Sequence, residues 1–135
     1  DFTAIEQKKE TLEHRDYVQE MQVETAKDGY QFTFVIADIA GYEGENSINQ
    51  TLYHVQAENL EMAAALYQRE NERQLDFGHM KQIAADMTGQ EIHPLLLELG
   101  HRPGIPKSVP VMMESDGAKY ILREMIKAAY GRESL

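Results

Sequence analysis

The spacing of apolar residues changes period along the chain, and each change marks an element. From Tyr17 to Thr25 the period is two: Tyr17, Met21, Val23 and Thr25 point one way while Asp16, Glu20, Gln22 and Glu24 point the other, as in a half-buried strand. Asp28-Gly29 then supplies the pair that a type I′ turn favours, since both of its central positions need positive φ, and the β pattern resumes over residues 30–36. With Asp28 and Gly29 as the loop, Thr25 lies opposite Phe32, Val23 opposite Phe34 and Met21 opposite Ile36, so the apolar faces coincide. The same register sets Gln19 against Asp38. From Phe34 to Ile39 the second strand is apolar on both sides, which predicts an interior strand with something covering each face. After a polar loop from Gly41 to Gln50, residues 51–57 read as a third strand.

Elsewhere the period is helical. A short helix is expected over 2–14, with Thr3 and Glu6 at capping-box spacing. Asn59 is a suitable N-cap for a helix over 59–74, whose face is Leu60, Ala63, Ala64, Leu66 and Tyr67. Phe77, Met80, Ile83, Ala84 and Met87 predict a helix over 77–88, begun by Asp76 and stopped by Gly89, and an apolar helix follows over 94–99. Residues 100–110 hold three of the four prolines and two of the nine glycines and form a linker. Val109 to Met113 suits an edge strand, and Ala118, Ile121, Leu122, Met125, Ile126 and Ala129 predict an amphipathic C-terminal helix over 117–130. The predicted fold is α+β in a single domain, 1–135. A three- to four-stranded, mainly antiparallel sheet opens with a hairpin at Asp28-Gly29 and is packed by helices, with a helical excursion at about 77–100.

Charge narrows the functions available. The net charge is −10, and it is uneven: residues 1–100 carry 19 acids against 7 bases, residues 101–135 carry 4 against 6. No Lys or Arg occurs between Lys27 and Arg69, where Asp28, Asp38, Glu43, Glu45, Glu58 and Glu61 fall. Such a field repels phosphate and attracts basic proteins, so direct nucleic-acid binding is disfavoured. The order helix, three strands, helix matches a double-stranded-RNA-binding domain, but the start of the last helix reads Glu58-Asn59-Leu60-Glu61, which offers phosphate no basic side chain. With no cysteine, disulfides and thiolate metal sites are excluded. No apolar run approaches the ~20 residues that span a bilayer. No membrane is implied, and a cytoplasmic location is expected.

Catalytic patterns are absent from the sequence. None of the five histidines stands four residues from another, the serines lie in no nucleophile elbow, and Gly41-Tyr42-Glu43-Gly44 puts a carboxylate where a phosphate loop needs N–H groups. Glu91 and His93 with His79 and Asp86 are the only grouping that a turn at Gly89 brings together for a metal; surface or capping roles are the plainer reading. No cofactor is expected. Asp38 is the costly residue, a carboxylate on the aromatic face of an apolar strand, with His54 on the next strand as a partner. Tyr42 and Tyr53 flank the acidic loop and suit an interface.

The leading expectation is an interaction protein that offers Asp38, Tyr42, Glu43, Glu45, Tyr53, His54, Glu58 and Glu61 to a basic protein surface or to a second copy of itself. One version is a phosphate mimic that blocks a nucleic-acid-binding site, as small inhibitors from mobile elements do. The rivals are an enzyme or ligand-binding domain with a polar pocket at Asp38 and His54, and an assembly subunit that buries the faces of helices 77–88 or 118–130 in an oligomer.

Overall fold

The structure is a computed structural model that describes residues 14–38, 49–106, 108–113 and 118–122. The helix expected over 2–14 lies outside these residues except for His14, as do most of the polar loop and the C-terminal helix beyond Leu122. The elements are β1 (Arg15–Ala26), β2 (Gly29–Asp38), β3 (Asn49–Ala57), α1 (Leu60–Asn71), β4 (Gln74–Asp76), β5 (Gln82–Asp86), α2 (Gly89–Gly100), β6 (Pro110–Met113) and β7 (Ala118–Ile121). The class is α+β as expected, but the sheet is larger and mixed. Its order is β3-β2-β1-β5-β6-β7, with short β4 pairing β1 beside β5, and β1·β4, β1·β5 and β5·β6 are parallel.

The hairpin forms with a corrected loop. Pairing begins at Ala26 and Gly29, so the loop is Lys27-Asp28, and Val23 meets Phe32 and Met21 meets Phe34. Asp28 and Gly29 do take positive φ, 60° and 150°. Because the partners move by two positions, each side chain keeps its face; only its opposite number changes. A bulge then admits Gln19 between Val18 and Glu20 and reverses the alternation, as an extra residue in one strand must. Val18 therefore joins the core, fully buried, where Tyr17 was expected. Gln19 does not oppose Asp38, whose Cα partner is Asn49 on β3. The expectation that β2 is interior holds, for it lies between β1 and β3; Phe34, Val35, Ile36 and Ala37 are all buried, but the helices cover only the Phe34 side.

The predicted helix over 77–88 is replaced by a turn and β5. Asp76 does not cap a helix; its Oδ1 accepts the N–H of Gly78 at 2.7 Å, which closes a tight turn instead. Beyond it Ile83, Ala85 and Met87 are buried while Gln82, Asp86 and Thr88 are exposed, a period of two that the run of alanines disguised. Gly89 likewise starts a helix rather than stopping one. Thr88 caps α2 through a reciprocal capping box with Glu91, so the helix begins five residues before the expected 94, and Pro94 sits within it on the exposed side. Asn59 caps α1 as expected, its side chain accepting from Met62 N at 2.8 Å. The helix ends earlier than 74, at Asn71, with Glu72 left-handed at φ 56°.

Residues 100–110 link α2 to β6, completing a parallel strand–helix–strand unit with β5. β6 is not an edge, for β7 pairs along its far side. Residues 118–121 of the predicted C-terminal helix form that strand. One core unites Met21, Phe32, Phe34 and Ile83 from the sheet with Leu60, Ala63 and Tyr67 of α1 and Ile92, Leu95, Leu96 and Leu99 of α2. Both helices thus cover one face of the sheet.

Candidate functional site

The opposite face of the sheet is open over much of its area. Alternation from the core residues puts Leu52, Val35, Glu20 and Gln82 in one cross-strand row, His54, Thr33, Gln22, Ala84 and Met112 in the next, and Gln56, Gln31, Glu24 and Asp86 in a third. In that field Gln22, Glu24, Gln56, Gln82 and Asp86 are exposed. Leu52 and Met112, near its two sides, are 60% and 40% exposed. A depression of about 280 Å³ lies at the centre, lined by Gln22, Glu24, Gln31, Thr33, Ala84 and Asp86.

Glu24 and Asp86 are direct neighbours across the parallel β1·β5 pair. Like charges so placed repel, and neither forms an ion pair among the described residues. Several acids elsewhere are occupied. Arg73 Nε donates to Asp16 Oδ1 at 2.6 Å, Arg15 pairs with Asp76 at 3.2 Å, and both carboxylate oxygens of Glu98 accept backbone N–H groups of Leu60 and Glu61, each at 2.8 Å. On the open face two adjacent carboxylates have no ion-pair partner among the described residues.

The residues singled out from the sequence divide between the two faces. His54 belongs to the open face, its Nδ1 2.8 Å from Thr33 Oγ1. Tyr53 points the other way, toward α1, where its hydroxyl donates to Glu70 Oε2 at 3.0 Å and its ring meets Tyr67 edge-on at 4.7 Å. Desolvation, then the hydrogen bond to the Glu70 carboxylate, pushes that hydroxyl up to about 12. Glu58 and Glu61 are exposed around the start of α1. Asp38 pairs with Asn49 whereas His54 pairs with Thr33, five positions apart along the strands, or about 17 Å at the usual rise. The fold does not bring Asp38 and His54 together. The Asp38 side chain, with Tyr42, Glu43 and Glu45, lies outside the described residues.

Sequence reasoning named Asp86 only in a metal grouping with His79, Glu91 and His93, and did not single out Met112. Asp86 was hidden in a segment with helical spacing, and Met112 in a strand taken for an edge. Glu24 was legible as a solvent-facing strand residue, but not its neighbour.

The helix-covered side carries its own polar cluster. Tyr67 donates to Asp16 Oδ2 at 2.5 Å while Arg73 holds the other oxygen; burial first, then the bond to Asp16, raises the Tyr67 hydroxyl above its ordinary value. Tyr30 is raised too, by burial and then by the charges of Glu98 and Glu91. Glu91 is lowered by the Thr88 hydroxyl and N–H, which fixes it as a cap. Among the described residues no group of three His, Asp or Glu is placed to hold a metal ion, and no helix is long and apolar enough to cross a membrane.

Among known families, the model described as the spore germination protein N-terminal domain matches residues 8–128. Neither the curated proteins nor the solved structures include a significant match.

Proposed function

The chain belongs to the family of spore germination protein N-terminal domains, and from that membership we propose that it is a protein-docking domain of a germination protein, engaging a basic partner through the open face of its sheet. The observation that carries this reading is the Glu24–Asp86 pair: two exposed carboxylates held side by side by strand register. A single Lys or Arg set between them relieves their repulsion and gains both attractions. Two carboxylates one strand apart match one basic side chain better than they imitate the regular phosphate spacing of a nucleic acid. Leu52 on β3 and Met112 on β6 are exposed elsewhere on the same face and supply apolar contact there.

The test uses the germination protein at full length in its own spores. A crosslinker introduced at Gln22 identifies the polypeptide that lies on the face, and the affinity of the pair is then measured. Glu24→Gln with Asp86→Asn should weaken binding about tenfold or more, which is 1.4 kcal/mol per factor of ten. Raising salt should weaken the unsubstituted complex in the same direction, because exposed charges are screened over ~8 Å at physiological ionic strength. Native mass spectrometry separates a foreign partner from a second copy. Binding that ignores both the substitutions and salt would remove this reading.

A further inference from the structure

We propose that a second site, a cleft at the opposite end of β1 from the hairpin, binds the carboxylate of a small organic acid, with Arg102 as its receptor. The cleft lies between the turn that follows β4 and the loop that follows α2, has a volume of about 430 Å³, and is lined by Arg15, Gln74, Asp76, His79 and Arg102 over Phe77. That volume is within the ~300–1,000 Å³ of small-molecule sites.

Its walls are fixed by backbone. Gly78 and Gly104 approach so closely that a Cβ on Gly78 would stand 2.8 Å from the Gly104 carbonyl oxygen and 2.9 Å from Asp76 Oδ1. Phe77, 4% exposed, forms the floor. The Arg102 Cζ rests 4.9 Å from the centre of its ring.

The charges at this end do not balance. Arg15 has Asp76 and Arg73 has Asp16. The Asp76 carboxylate is doubly used, by Arg15 on one oxygen and Gly78 N–H on the other. Arg102, the other arginine of the cleft, has no carboxylate among the described residues. Contact with a ring engages the guanidinium through its π face and consumes no N–H donor. A half-buried guanidinium whose N–H fork meets no carboxylate among the described residues matches one two bonds at a time. In a chain of net charge −10, a cation left over in a cleft is selective for what enters it.

Saturation-transfer-difference NMR with sodium lactate on the full-length protein tests the site. The expected result is a lactate signal that acetate displaces, absent in Arg102→Gln and unchanged in Arg69→Gln, a change on the exposed last turn of α1. Arg102→Lys keeps a cation over Phe77 but lacks the fork, so its dissociation constant for lactate should rise at least about tenfold. That variant decides the matter if Arg102→Gln does not fold. No lactate signal, full binding by Arg102→Gln, wild-type affinity in Arg102→Lys, or displacement by inorganic phosphate as readily as by acetate would each overturn the carboxylate assignment.

Discussion

Single side chains at the N-terminus of α1 help to fix where that helix sits. Glu98, from the other helix, accepts the N–H groups of both Leu60 and Glu61, so one carboxylate meets the positive end of the α1 dipole and ties α2 to it. Glu98→Ala should cost about 1–2 kcal/mol, in the range of lost helix caps, read as a lower denaturant midpoint at unchanged slope. Tyrosine titration supplies a second check. Tyr53 is raised to about 12 from an ordinary 10.0, so its neutral form is favoured in the folded protein. The stability it contributes is whole below pH 10 and declines as pH climbs through about 12. Alkaline unfolding should therefore steepen in that window, and Tyr53→Phe should flatten it; an unchanged alkaline profile in the variant would exclude Tyr53 as a contributor. At this end of α1 the sequence showed the capping role of Asn59 but not that of Glu98. Nothing in a linear pattern reveals that Glu98 caps a helix 38 positions earlier.

At the scale of elements, local chemistry was readable where one feature settled the matter and misleading where two periods overlapped. The hairpin, β3 and α1 were found because turn chemistry, alternation and an N-cap agreed. Residues 77–88 failed because Phe77, Met80, Ile83, Ala84 and Met87 satisfy a helical template while Ile83, Ala85 and Met87 also satisfy a strand, and long-range pairing with β1 decided for the strand. Thr88 and Glu91 held capping-box spacing, yet Gly89 read as a stop. Register in the hairpin depended on a backbone detail, the Lys27-Asp28 loop, which also explains Gly29. A Cβ there would lie 2.4 Å from Ala57 O at φ 150°. Gly29→Ala should thus destabilise the β1–β2–β3 meander by about 1–3 kcal/mol, with hydrogen exchange accelerated at residues 30 and 57 before it changes in α2.

For the whole molecule, the two faces of the sheet differ in what they carry. The helix-covered face holds the core, and the open face holds the Glu24–Asp86 repulsion. Relieving that repulsion should strengthen the fold while weakening docking: Glu24→Gln is expected to raise stability by about 0.2–1 kcal/mol in chemical denaturation. A loss of stability would show that the pair has a partner within the protein. The sequence carried the acid bias but not this face, because Glu24 and Asp86 are 62 positions apart and meet only through parallel pairing. That pairing also orders assembly in time. During synthesis β1, β2 and β3 can zip together as soon as Ala57 has emerged, but β1 must wait for residues 82–86 to complete its other side, and Phe34 must wait for the Phe77 ring that packs edge-on against it. Closing parallel pairs over such distances is slow, so the nascent chain spends an interval with an unpaired strand edge beside an aromatic face. Ribosome-bound chains halted shortly after residue 57 should recruit hydrophobic-binding chaperones, and chains halted well past residue 122 should release them.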